Sequence, residues 1–127
     1  ISHGTYDFAI ANFANPDMVG HTGQIPAVVA AVEATDRCLG RVVECVEEAG
    51  GVCLVTADHG NAEVMLEPDG ASPYTAHTSN PVPLLVTDAE LGLREGGELS
   101  DLAPTILALL DIPVPEQMTG KPLTGGV

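Results

Sequence analysis

Three places along the chain carry side chains able to hold a metal ion: Asp17 with His21, the adjacent Asp58 and His59, and His77. Carboxylate oxygen and imidazole nitrogen without thiolate suit Mn2+ or Zn2+ better than soft metals. Asp17 and His21 are four residues apart, so one helical turn, or a tight loop punctuated by Gly20 and Gly23, puts both heads on one side. Asp58 and His59 are neighbours. In a straight strand they would point to opposite faces. At a strand-to-loop turn they can flank a metal pair or both bind one ion. These five ligands are too many for one four-coordinate zinc and too few for two fully coordinated Mn2+ ions. The arithmetic predicts a two-metal site with some ligands outside this chain.

A plainer reading stands beside each residue. A lone histidine in a loop is usually not a ligand, and an aspartate before a glycine-containing loop is usually a turn residue. The apolar run Val52-Cys53-Leu54-Val55 would bury whatever follows it, and an unpaired buried carboxylate is costly. Composition and spacing leave the metal and turn readings both open. His3 reads as a surface residue. Asn12, Asn15 and Asn61 read as turn or capping residues, and Glu63 as a solvated hairpin carboxylate rather than a metal-site partner. Ser2, Ser72, Ser79 and Ser100 lack the Gly-flanked setting of an activated nucleophile, so no catalytic nucleophile is expected in the chain.

The elements that must position these residues follow from periodicity. Tyr6–Asn12 is apolar enough for a strand covered on both faces. Phe13–Gly23 reads as a loop broken by Asn15-Pro16. From Gln24 to Ala49 the period is helical: Val28, Val32, Leu39, Val42 and Val46 form a stripe widened by Val29 and Val43. Pro26 suits the first turn and Gly50-Gly51 the stop. Gly51–Ala57 is a second strand carrying Asp58 and His59 at its tip. Glu63–Leu66 reads as a short extra strand with Glu67-Pro68-Asp69-Gly70 as its turn. Val82–Thr87 is a third strand. Ser100 is the expected N-cap of a helix to about Leu110, with Leu102, Ile106, Leu109 and Leu110 apolar. The order predicts one α/β domain over residues 1–127, with a mainly parallel sheet flanked by helices. Three strands make a small sheet with an edge wanting cover, as in part of something larger.

Bulk properties narrow the partners. Of 127 residues 45% are hydrophobic and 17% charged, which supports a packed core and argues against disorder. Eighteen acidic residues against four basic ones give a net charge of −14, which repels nucleic acid and anionic membranes. These residues read as carrying neither a signal peptide nor an apolar run of transmembrane length. Cys38, Cys45 and Cys53 form no CxxC pair and read as small core residues, which fits a reducing cytoplasm.

Three strings occur in order: Asn15-Pro16-Asp17-Met18-Val19-Gly20-His21-Thr22-Gly23, Thr56-Ala57-Asp58-His59-Gly60-Asn61-Ala62-Glu63, and Ala76-His77-Thr78-Ser79-Asn80-Pro81-Val82-Pro83. They closely resemble the cofactor-independent phosphoglycerate mutases of the alkaline phosphatase superfamily, and Met118-Thr119-Gly120-Lys121-Pro122-Leu123 resembles that family's C-terminus. The resemblance implies interconversion of 3-phosphoglycerate and 2-phosphoglycerate in glycolysis and gluconeogenesis through a phosphoserine intermediate. It implies two Mn2+ ions, with Zn2+ or Co2+ as other divalent candidates. Asp17, His21 and His77 would hold one ion. Asp58 and His59 would hold the other, with an Asp and the nucleophilic Ser from elsewhere in the enzyme. Members of the family are several times longer than this chain. The resemblance therefore implies a C-terminal segment of the phosphatase-like domain, inactive alone, whose natural partner is the N-terminal part of the same protein. Two other classes are consistent with the residues: a minimal metal-dependent phosphohydrolase, and a non-catalytic segment that self-associates over its sheet edge.

Overall fold

The computed structural model describes residues 4–125, so His3, expected at the surface, lies outside the described residues. The chain divides into two compact units, Ile1–Thr87 and Asp88–Val127. The candidate ligands all belong to the first.

Within that unit the loop expected at Phe13–Gly23 contains a short helix, α1, Asn15–Gly20. Pro16 does not break it, because proline in a first helical turn has no amide to waste and its φ is already helical. Asp17 occupies that turn, where a carboxylate favours the exposed amides. The long helix α2, Ile25–Glu48, matches the periodicity closely: Gln24 is its N-cap, Ala49 its C-cap, and proline stands in the first turn. Its end is a Schellman motif. Gly50 N–H donates to the Glu47 carbonyl and Gly51 N–H to the Val46 carbonyl, both at 2.9 Å, with Gly50 at φ 73°. Val28 is buried, and Ala31, Thr35, Leu39, Val42 and Val46 continue its stripe half-buried. Val29 and Val32, expected in the stripe, are exposed.

The sheet corrects the expectation of a mainly parallel arrangement. Strands β1, Leu54–Thr56, and β2, Leu84–Val86, pair antiparallel, with Val55 opposite Leu85. Residues 57–83 join them without a helix. A parallel pair needs a crossover, usually helical, to bring the chain back in the same direction, and this connection simply returns. Side chains extend the short ladder at both ends. The Thr87 hydroxyl accepts from Cys53 N–H at 3.0 Å, and the Thr56 hydroxyl donates to the Pro83 carbonyl at 2.8 Å. Tyr6–Asn12, expected as a strand, pairs with no strand among the described residues, and Ile10 is 87% exposed. An apolar run becomes a strand only where a partner takes its backbone hydrogen bonds. Beyond β1 the expected hairpin forms in miniature: Leu66 bridges Pro73 around a turn whose Asp69 carboxylate accepts from Ala71 and Ser72 N–H, each at 2.8 Å. Cys38 is exposed and Cys45 and Cys53 half-buried, so none is the fully packed residue expected.

In the second unit a 3-10 turn, Leu99–Asp101, leads into α3, Leu102–Leu109. The start differs from the Ser100 cap expected. Glu98 and Asp101 form a reciprocal capping box, and Asp101 is the N-cap of α3. Ser100 is exposed within the turn. Thr105 is fully buried: its hydroxyl donates to the Asp101 carbonyl at 2.7 Å and accepts from Leu123 N–H at 2.8 Å. Among the described residues no helix is long and apolar enough to cross a membrane.

Candidate metal centre

The site is built from the end of α1 outward. Asp17 lies in the first turn and His21 is the C-cap, so the backbone stacks them on one face, with His21 Nε2 at 3.3 Å from Asp17 Oδ1. His77 reaches the same point from the loop before β2: its Nε2 is 3.0 Å from Asp17 Oδ1 and 3.1 Å from His21 Nε2. His21 Nδ1 lies 2.7 Å from the Thr75 carbonyl. A carbonyl only accepts, so that nitrogen carries the proton. In the neutral ring Nε2 is then left with a free lone pair facing Asp17 and His77. This is how metal-binding imidazoles are usually oriented, with the second ring nitrogen donating to a fixed acceptor.

The tip of β1 supplies a fourth donor. His59 stacks on His77, ring centroids 3.7 Å apart and planes 20° apart. One donor atom each from Asp17, His59 and His77 lie within 4.8 Å of one another. The structure thus brings together Asp17, His21, His59 and His77. Asp58 stays at the rim: its side chain is 77% exposed, with Oδ1 3.6 Å from His59 Nε2. The burial expected of it does not occur: β1 ends at Thr56, and the Asp58 side chain is exposed although Gly60 and Asn61 just beyond it are buried.

Two residues read as ordinary turn positions are central here. Asn61 is only 6% exposed, and its Nδ2 donates to Asp17 Oδ1 at 2.7 Å. Glu63 accepts from Asn61 N–H at 2.6 Å, from Asn80 Nδ2 at 3.1 Å, and from the Thr78 hydroxyl. The Asn61 amide, helped by His21 and His77 against partial burial, holds the Asp17 carboxyl below the usual carboxylate range. The Thr78 hydroxyl does most to hold Glu63 below its own range. Two glycines make this packing feasible. A Cβ at Gly20 would overlap the Asn61 amide, and one at Gly60 would overlap Glu63 and Thr78. The signal that marks Asn61 and Glu63 is their place just after the paired ligands, where a carboxylate across the site needs a buried donor.

Two imidazole nitrogens and a carboxylate oxygen within 3.0–3.3 Å of one another crowd lone pairs that few protons can share. A divalent cation satisfies all three at once, so the donor set fits a borderline-to-hard metal.

Comparison with known proteins agrees with this chemistry. The chain is 53% identical to the 2,3-bisphosphoglycerate-independent phosphoglycerate mutase of Nostoc punctiforme, across 97% of its own length and 25% of the relative's. It is 54% identical to the enzyme of the same name from Rhodopseudomonas palustris, across 98% of this chain and 25% of that one. For the Chromohalobacter salexigens enzyme of that name the values are 55%, 98% and 24%. The chain spans about a quarter of the length of these curated relatives. The family description "Metalloenzyme superfamily" matches residues 1–114. With nine-tenths of its sequence covered by that match and a converged Asp/His cluster inside it, this chain belongs to the Metalloenzyme superfamily.

Proposed function

We propose that the chain is the metal-binding, C-terminal segment of a cytoplasmic 2,3-bisphosphoglycerate-independent phosphoglycerate mutase. The observation that carries this is identity of 53–55% along nearly the whole chain to three enzymes of that name. In this reading Asp17, His21 and His77 hold one Mn2+ ion. Asp58 and His59 contribute to a second, with ligands from the rest of the enzyme, which also completes an alkaline-phosphatase-like sheet. Such ions, when bound, supply positive charge for transferring phosphoryl oxygens and for a serine alkoxide.

The chain's own residues do preparatory work. Thr75 fixes the His21 tautomer through its carbonyl, and Asn61 holds the Asp17 carboxylate toward the imidazoles. Asp58, exposed at the rim, is free to meet a ligand set arriving from outside. In this reading the nucleophilic serine comes from the rest of the enzyme. Ser72 donates to Asp69 in the hairpin turn at 2.6 Å, and Ser100 pairs with Glu98 at 3.5 Å. Of the four basic residues, Arg94 pairs with Asp101 at 2.7 Å, and in this reading the groups that grip substrate also come from the rest of the enzyme.

The test is a chimera in which this chain replaces the corresponding quarter of the Nostoc punctiforme enzyme. The chimera interconverts 3-phosphoglycerate and 2-phosphoglycerate, Asp58→Ala abolishes that turnover, and the isolated chain shows none. A folded but inactive chimera would overturn the proposal. So would phosphate release from an aryl phosphate by the chain alone, which would identify a small phosphohydrolase instead.

A further inference from the structure

The geometry points to Glu63 as a positioning residue for the metal centre, acting through Asn61 and Thr78 without touching any of the candidate ligands. The inference rests on the metal reading above and adds to it the device that keeps the site assembled.

The hydrogen bonds form a closed circuit. Asn61 Nδ2 holds Asp17 Oδ1 at 2.7 Å, and Asn61 N–H is held by Glu63 Oε2 at 2.6 Å. The other carboxylate oxygen, Oε1, takes the Thr78 hydroxyl and Asn80 Nδ2. Thr78 adjoins His77, and His77 Nε2 closes the ring on Asp17 at 3.0 Å. Two stretches of chain far apart in sequence, 60–63 and 77–80, are thereby locked together. The only backbone pairing between them is the Gly60–Thr78 bridge, in which Thr78 N–H donates to the Gly60 carbonyl at 2.9 Å. One bridge permits the loops to pivot about each other. Glu63, with donors from both, removes that freedom.

The consequence is preorganisation. Asp17 and His77 come from elements with no ladder between them, so an ion binding a loose pair would bear the cost of ordering them. Groups that orient metal ligands typically carry a tenfold or larger share of metal affinity. An ordinary hairpin carboxylate that tied the loop only for stability would leave affinity untouched.

The experiment is titration of the 127-residue chain with MnCl2 by calorimetry, well below the unfolding temperature of every variant. Thr78→Val keeps the Glu63 charge but removes its principal donor, and Thr78→Ser restores the hydroxyl. We expect Thr78→Val to weaken binding by about tenfold and Thr78→Ser to stay within about twofold of the parent chain. Glu63→Gln, as a second variant, weakens binding by at least as much as Thr78→Val. Parent and Thr78→Val binding Mn2+ equally tightly would overturn the positioning role while leaving the metal site intact, and a lowered melting temperature alone would mean a purely structural tie. No Mn2+ binding by the parent chain would overturn this inference and the metal reading together.

Discussion

Asp17→Ala abolishes divalent-metal binding by this chain, lowering affinity by more than about a hundredfold, beyond what loss of an orienting partner costs. Asp17 is the hub of the cluster: its Oδ1 lies 3.0 Å from His77, 3.3 Å from His21 and 2.7 Å from Asn61. Removing it takes away the only carboxylate at that point, leaving imidazoles to hold the ion without charge neutralisation. It also removes the shorter of the two hydrogen bonds of the buried Asn61 amide, leaving only the 3.4 Å contact to the residue 17 carbonyl, so the arrangement is loosened as the candidate ligand is lost. Calorimetric titration with MnCl2 measures the effect, and circular dichroism of the metal-free variant verifies that the chain stays folded. Affinity within tenfold of the parent would show that the ion sits elsewhere.

The second large effect belongs to the Asp88–Val127 unit and concerns stability. Asp101 is 6% exposed and gathers three donors: Arg94 Nη2 at 2.7 Å, Lys121 N–H at 2.8 Å and Glu98 N–H at 3.0 Å. It joins the start of α3, the arginine and the C-terminal stretch that carries the buried Leu123. Asp101→Asn substitutes an amide that cannot satisfy three donors, and the melting temperature falls by roughly 5–10 °C. The Leu123 amide, held by Thr105, loses hydrogen-exchange protection in step. The pH dependence has a definite sign. The Lys121 and Glu98 amides, and then Arg94, hold the Asp101 carboxyl below its ordinary range in the folded chain. A group with a depressed folded-state pKa stabilises fully above its unfolded value and ceases to do so as pH falls through the folded one. The difference in melting temperature between parent and Asp101→Asn is therefore constant above the ordinary carboxylate range and closes below it. A difference that grew on acidification would contradict the assignment.

How much of this was legible in the sequence depended on how local the cause is. Helix α2 is written in nearby signals, Pro26 at one end and Gly50-Gly51 at the other, and its observed limits fall within a residue of those expected. The stacking of Asp17 on His21 is likewise a four-residue matter. Sheet direction is not local. Val52–Val55 and Val82–Val86 are short apolar runs equally suited to parallel or antiparallel pairing, and only the path of residues 57–83 decides. Tyr6–Asn12 shows the same limit from the other side, since its pattern cannot reveal whether a partner strand is present. At the site, residue types pointed to Asp17, His21, Asp58, His59 and His77; the fold gathers four of these side chains and leaves Asp58 exposed at the rim. The supporting set of Thr75, Asn61, Glu63 and Thr78 depends on contacts between loops 15 to 54 residues apart in sequence, where turn chemistry offers a simpler local explanation.

The measurement that bears most directly on the account is a Mn2+ titration of the parent chain beside His77→Ala. His77 is the candidate ligand that joins both arms of the cluster, hydrogen-bonded to Asp17 and His21 on one side and stacked on His59 on the other. Saturable binding in the parent chain that disappears in His77→Ala is the predicted result. Binding that survives the substitution unchanged, or no binding by the folded parent chain, would contradict it.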